Sequence, residues 1–325
     1  MPTENNLPPA PSDADTVAGA AAASPVATRA LPPRPPAEFG SPEAALARKQ
    51  ARELKDAQVR GVTSIDTMRE AIKQAARDLP GITEVPRLGM QGAAAFRARA
   101  ALGLPFLMRG LVQRWPLSRL APGVLREQYG HLPVRARVGD YINTAFAPDR
   151  AMQDMSMLQY LDLVEEGKHA LPPYLGNLEL RELNRLCHWP TYFDKMGPPR
   201  FWVGPAGTVT PLHCDYDDNI FAQVWGSKRI FLAPPHHDAY LYPSEANAIL
   251  FGSPFDPEAP DFERFPLARQ ASMVECIVEA GDMLYVPAGW YHQVRALTFS
   301  LSSNRWARAV PFALHGAPAL RRDDC

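Results

Sequence analysis

Thr210–Pro235 reads TPLHCDYDDNIFAQVWGSKRIFLAPP. Its apolar runs are short: NIFAQVW ends at the Gly226-Ser227 turn, and KRIFLA is closed by Pro234-Pro235. From Val85 onward the same texture repeats in LPFLMRGLV, VRARV and RFWVGP, and after Pro235 in MVECIVEAGDMLYVP and YHQVRALTFSLSS. Short strands broken by Pro and Gly are the mark of a β-sandwich or barrel. The expectation is a mainly β fold with accessory helices. The clearest helices inside it are Ser156–Glu166, which Gly167 ends, and Glu179–Leu186, where Leu180, Leu183 and Leu186 form a core stripe.

Proline is in excess, 34 of 325 residues, and this argues against a long helical bundle because each interior proline removes a hydrogen bond and clashes with the preceding turn. Ten of the 34 precede residue 43, so the excess divides between a leader and the strand ends. Residues 1–40, made of Pro, Ala, Ser, Thr and Asp, cannot bury enough surface to offset ordering entropy and read as a disordered leader. Ser41-Pro42-Glu43 carries an N-cap residue and a proline at the first helical position, opening a charged helix over AALARKQARELKDAQVR. A second helix, Ser64–Asp78, has Ile65, Met68, Ile72 and Ala75 at helical spacing and packs on the body. The expected organisation is therefore a leader 1–40, a helical segment 41–84, a β domain 85–308 and a tail 309–325.

The formal net charge of −1 gives no global field toward nucleic acid or an anionic membrane. Cys187, Cys214, Cys276 and Cys325 show no CxxC spacing and are too few for a disulfide framework in a chain this size. They read as reduced thiols of a cytoplasmic protein, and no stretch approaches the length of a membrane-spanning helix or has the make-up of a signal peptide.

The strongest chemical signal is His213-Cys214-Asp215. On a strand, alternation puts His213 and Asp215 on one face and Cys214 on the other. With a histidine from a neighbouring strand, such a pair makes the facial triad of non-haem Fe(II) sites, two imidazoles and a carboxylate with three positions left open. The candidate third ligand is His292, in GDMLYVPAGWYHQV, where the Gly281-Asp282 turn, the strand Met283–Pro287 and the Ala288-Gly289 turn lead to it. An HxD pair alone is more often a hydrogen-bonded histidine. Two spaced motifs in order on strands are far more specific. His236-His237-Asp238 follows Pro234-Pro235 in a loop with no strand to orient it and reads as surface. Trp115, Trp202, Trp225, Trp290 and Trp306 read as core or pocket wall.

Residues 85–308 resemble the cupin-like branch of the JmjC proteins. The likeness rests on LPFLMRGLVQRWP (Leu104–Pro116), Thr-Pro-Leu-His at 210–213, NIFAQVWGSKRIFLAPP, Leu-Tyr-Pro at 241–243, GDMLYVPAGWYH (Gly281–His292) and Ser-Asn-Arg-Trp at 303–306. The resemblance implies a double-stranded β-helix, or jelly roll, carrying an Fe(II)- and 2-oxoglutarate-dependent oxygenase, as in the asparaginyl hydroxylase that acts on the hypoxia-inducible factor. It implies iron ligands at His213, Asp215 and His292. It also implies that Lys228 and Thr210 bind the far carboxylate of the co-substrate, with Tyr174 as a phenol donor and Asn219 and Asn304 as inward amides. Each of these five has a plain reading beside it: Lys228 with Arg229 as turn cations, Thr210 as an ordinary strand residue, Tyr174 as a core aromatic, and the amides as polar strand residues.

The implied function is hydroxylation of a protein side chain, with succinate and CO₂ released, on a protein or peptide partner. Two other readings stand beside it. One is an RNA-modifying or demethylating oxygenase with the same site, because Arg135 and Arg137 share a face in VRARV and could track phosphates together with the Arg48–Arg60 helix. The near-zero net charge and the lack of an aromatic base-stacking platform argue against nucleic acid. The other is a non-catalytic cupin-like binding module, which would have no chemical reason to keep the ligands and Lys228 together. Asp217 and Asp218 could favour a cationic target at the pocket rim, although acidic pairs are more often solvated. Pro311, Gly316 and Pro318 argue against a long C-terminal helix, and so against dimerisation by the helices that the asparaginyl hydroxylase uses; the oligomeric state stays open.

Overall fold

A computed structural model describes residues 65–147, 150–193, 196–243 and 250–307. The expected leader, the helix opening at Ser41 and the tail after 308 lie outside the described residues. Five α-helices are described: α1 Ile65–Ala76, α2 Ala93–Ala100, α3 Val124–Glu127, α4 Met157–Glu166 and α5 Arg181–Asn184. The strands are β1 Arg87–Leu88, β2 Phe106–Met108, β3 Pro133–Arg137, β4 Met152–Ser156, β5 Tyr174–Leu178, β6 Arg200–Gly204, β7 Val209–Asp215, β8 Asp218–Trp225, β9 Lys228–Ala233, β10 Leu250–Gly252, β11 Val274–Val278, β12 Met283–Val286, β13 Tyr291–Ala296 and β14 Ser300–Ala307. They make a nine-stranded sheet in the order β1-β2-β12-β8-β14-β6-β5-β3-β4 and a five-stranded sheet in the order β10-β7-β13-β9-β11. From β6 to β9, and again from β11 to β14, the chain passes to the other sheet with each new strand. That winding is a double-stranded β-helix.

All eight residues of β8 are buried, and its two faces meet different neighbours. Ile220, Ala222 and Val224 join a cluster with Met157, Tyr160 and Leu161 of α4, while Phe221 packs with Ile230, Leu232, Leu284 and Val294 between the sheets. Full burial of such side chains contributes about 1.5–3 kcal/mol each, and it explains why IFAQVW reads as a continuous apolar run rather than an alternation. A strand covered on both sides can hold functional groups rigidly on its inner face.

Helix α4 starts and stops as its sequence directs. Ser156 and Gln159 form a reciprocal capping box, and Gly167 takes a left-handed φ of 61° at the C-cap. The stretch expected to be helical over Glu179–Leu186 keeps only Arg181–Asn184, although Leu180 and Leu183 are buried and Leu186 packs on the same cluster. Its stripe was therefore correct and its length was not. Helix α1 packs on the body through Ile72, Ala71 and Ala75, against a cluster containing Leu212, Cys214 and Tyr291.

The turn before His292 is tied to α1. Gly289 has φ +81°, and a Cβ there would come within 2.5 Å of the Ile72 Cγ2. Asp238, read from the sequence as surface, is buried. It accepts hydrogen bonds from Arg69 of α1 at 2.6 Å and from the Tyr291 hydroxyl at 2.6 Å, and Lys73 lies 3.3 Å away. The reason for the difference is that residues 235–241 form a 3₁₀ turn pressed under α1 instead of an open loop.

Candidate metal and co-substrate centre

β7 carries His213 and Asp215, and β13 pairs with it so that His292 faces His213. The two imidazole centroids are 4.2 Å apart, and the His292 Nε2 is 3.8 Å from the Asp215 Oδ2. One donor atom from each of the three residues falls within 4.8 Å of the others. Cys214 points the other way, into the cluster under α1.

The donor set suits a metal in its protonation as well as its spacing. The His213 Nδ1 is 2.7 Å from the Pro211 carbonyl oxygen and the His292 Nδ1 is 3.0 Å from that of Trp290. A carbonyl only accepts, so both Nδ1 atoms carry the proton and both Nε2 lone pairs stay free for a ligand role. Burial, aided by the neighbouring His292, lowers the His213 pKa and keeps the ring neutral. Two neutral imidazoles and a carboxylate, beside an adjoining cavity, fit a metal ion that keeps coordination positions open for small ligands.

A bulge sets the reach of this centre. Pairing runs His292 to His213 and then Val294 to Thr210, so Pro211 and Leu212 together oppose Gln293. Proline tolerates that place because it has no donor to lose. The extra residue resets the alternation, and Thr210 lines the same cavity as His213 although three positions separate them.

Further in, Lys228 is 1% exposed and its Nζ donates to the Ser302 Oγ at 2.9 Å. The Tyr174 and Phe221 rings lie 5.8 and 5.6 Å from that nitrogen. Among the described residues no carboxylate pairs with it, and burial pushes its pKa down to about 7. An ammonium enclosed without a counter-ion is poised for an anionic ligand. The Tyr174 hydroxyl shares a hydrogen bond with Thr210, and burial raises its pKa to about 12, so it remains a neutral phenol. The Asn304 Nδ2 donates to the Asn219 Oδ1 at 2.8 Å, and among the described residues the buried Asn304 Oδ1 has no partner. All eight residues singled out in the sequence thus line one cavity, with Trp202, Phe221 and Trp306.

One expectation needs correction and two contacts are new. Asp218 is not at the rim: it is 2% exposed and accepts a hydrogen bond from the Ala288 backbone N–H at 3.0 Å, which holds the turn before His292. Trp306 lines the cavity as expected, and in addition its Nε1 donates to the Asp215 Oδ2 at 2.8 Å. Ser302, the partner of Lys228, was also not singled out. Counting by two along β14 from Asn304 reaches both Ser302 and Trp306, and that period was the available signal. Trp306→Phe keeps the wall and removes the donor. It is expected to weaken Fe(II) binding about tenfold, read by metal titration, and an unchanged affinity would show the bond to be idle.

Fold and centre together define a cupin-type metal protein, with its donors on the inner faces of two opposed sheets. The chain belongs to the cupin-like JmjC family, and the family model described as Cupin-like domain matches residues 93–311. It is 47% identical over 105 residues to Lysine-specific demethylase JMJ30 of Arabidopsis thaliana, covering 32% of this chain and 24% of that protein. It is 36% identical over 124 residues to tRNA wybutosine-synthesizing protein 5 of Gallus gallus, covering 38% of each. It is 29% identical over 241 residues to Bifunctional peptidase and (3S)-lysyl hydroxylase JMJD7 of Homo sapiens, covering 62% of this chain and 76% of that protein. The chain thus spans under two-fifths of the first two relatives, and the three names carry three different activities.

Proposed function

We propose that this chain is an Fe(II)- and 2-oxoglutarate-dependent dioxygenase that hydroxylates a protein side chain. The observation that carries the reading is the combination in one cavity of a His-Asp-His donor set with free Nε2 atoms and a buried lysine without a counter-ion. In this reading His213, Asp215 and His292 hold the iron. Lys228 and Thr210, with the Tyr174 phenol, bind the distal carboxylate of 2-oxoglutarate. Asn219 and Asn304 orient the co-substrate, the free Asn304 oxygen leaving an acceptor for water or ligand.

Iron with 2-oxoglutarate would supply oxygen activation coupled to decarboxylation, yielding succinate and CO₂. The residues do the positioning. The carbonyls of Pro211 and Trp290 fix the imidazole tautomers, the Trp306 N–H fixes the carboxylate, and Phe221, Ile230, Leu284, Val286 and Val294 line the rest of the cavity and limit water. The protein substrate is supported by the likeness to the lysyl hydroxylase, a match that takes in 76% of that relative's length. We assign the catalytic unit to residues 85–308 and place the protein in the cytoplasm, consistent with unpaired Cys187, Cys214 and Cys276. Among the described residues no helix is long and apolar enough to cross a membrane.

Equilibrium dialysis without oxygen tests the reading: one Fe(II) and one 2-oxoglutarate per chain are expected, with 2-oxoglutarate lost when the metal is chelated. Retention of neither would refute it. The lysine adds a pH signature. In the empty pocket Lys228 loses its proton near pH 7, whereas a bound dianion needs the ammonium. Binding above that pH must take up a proton, so affinity should fall by up to about tenfold per pH unit as pH rises, while below it the dependence disappears. Calorimetry at about pH 8 in two buffers of different ionisation enthalpy should report uptake of nearly one proton. An affinity that is flat between about pH 6.5 and 8.5 would contradict the assignment.

A further inference from the structure

Arg137 closes β3 opposite Tyr174 of β5, which places both side chains on the cavity side of the sheet. It is only 8% exposed. Its guanidinium carbon lies 5.6 Å from the centre of the Tyr174 ring and lies over Gly176, where an added Cβ would meet Cζ and Nη2 at 2.9 Å. The Nε has no hydrogen-bond partner, and among the described residues no carboxylate pairs with the group. The charged or titratable groups facing it are the Tyr141 and Tyr174 phenols, His213, and Arg150, whose own guanidinium it repels. Arg135, on the same face, is already paired with Asp154 at 3.3 Å.

The balance of charge here is unusual. A guanidinium cannot shed its charge as a lysine can, so burying one unpaired is costly unless an anion completes the site. The co-substrate is not that anion in the reading above, since its distal carboxylate is met by Lys228, Thr210 and the Tyr174 phenol. The expectation of a cationic target rested on Asp217 and Asp218, and Asp218 is occupied in holding the Ala288 turn. Among the described residues Arg137 is left with neither a carboxylate nor a hydrogen-bond partner, whereas its neighbour Arg150, also without a carboxylate, donates to the Ala145 carbonyl at 3.3 Å.

We propose that Arg137 is a substrate-specificity residue that receives the carboxylate of an Asp or Glu side chain on the protein substrate, beside the metal centre. This deepens the dioxygenase reading and rests on it. The planar fork of a guanidinium matches a carboxylate two bonds to two, and such charge-assisted pairs are roughly twice as strong as neutral ones. A carboxylate on a short flexible side chain can approach a guanidinium that is this little exposed. A backbone phosphate, flanked by its own nucleotides, is met by exposed cations along a surface instead. The absent side chain at Gly176 is what lets the guanidinium lie flat against β5.

The test measures fluorescence anisotropy of labelled random peptide pools that differ only in a fixed central residue, Asp/Glu, Asn/Gln or Lys/Arg, with a single-stranded oligoribonucleotide as a fourth probe. Each is titrated with iron-loaded, oxygen-free protein containing 2-oxoglutarate. Wild type should bind the acidic pool about tenfold more tightly than the amide pool. Arg137→Gln should erase that preference, Arg137→Lys should keep part of it, and Arg137→Glu should turn it toward the basic pool. If the Arg137 variants fail to fold, Gly176→Ala decides, because it keeps the charge but displaces the guanidinium and should cut the acidic preference. Equal binding of the peptide pools, or binding of none, overturns the inference, as does an Arg137-dependent affinity for the oligoribonucleotide without an acidic preference. Bound 2-oxoglutarate is measured on the same samples. Its presence alongside equal pools sinks this inference alone, and its absence sinks the dioxygenase reading.

Discussion

Asp215→Ala is expected to abolish turnover of 2-oxoglutarate, by about a thousandfold or more, together with tight Fe(II) binding. Asp215 is the one anionic donor of the set, and it is the group through which Trp306 reaches the centre. Without it two neutral imidazoles remain, and a hard divalent ion is held by them alone. The fold should survive, because β7 is kept in place by its backbone pairing to β10 and β13 rather than by this side chain. Metal titration and succinate assays on a variant with a near-native melting temperature check the expectation. Wild-type turnover in that variant would remove Asp215 from the centre.

Lys228→Met is expected to act in two opposite directions. The KM for 2-oxoglutarate should rise about a hundredfold or more, because the anchor for its distal carboxylate is gone. The ligand-free protein should become more stable, by about 2 kcal/mol, because a buried lysine without a counter-ion is unfavourable whether it keeps its charge or gives up its proton, and it is replaced by an apolar chain of similar size. A lysine that served only as a structural hydrogen-bond donor to Ser302 would give the reverse, a loss of stability and an unchanged KM. Urea unfolding and steady-state kinetics on one preparation separate the two cases.

The barrel and its centre were legible to different depths in the sequence. Short apolar runs with Pro and Gly stops were enough for the β architecture, and the period of two placed His213 and Asp215 together because strand side chains alternate without exception in a regular strand. Thr210 shows where that rule ends. Strict alternation would send it to the side of Cys214, and only the bulge at Pro211-Leu212 brings it to His213; the resemblance supplied it, and the pairing register explains it. Asp218 and Asp238 were misread for one reason. Acidic residues in turns are usually solvated, and nothing local announces that a turn will be buried under α1 or against the His292 loop. Arg137 was noticed for the face it shares with Arg135, yet its enclosure depends on Tyr174 and on a glycine far along the chain, a tertiary property that no window of sequence contains.

The account is tested most directly by following succinate release with Fe(II), oxygen and 2-oxoglutarate for wild type and His213→Ala side by side, in the presence and absence of the acidic peptide pool. Wild type should release succinate in step with loss of 2-oxoglutarate, faster when the pool is added, and His213→Ala should release none above background. Equal rates from the two proteins would contradict a reaction centred on His213, Asp215 and His292.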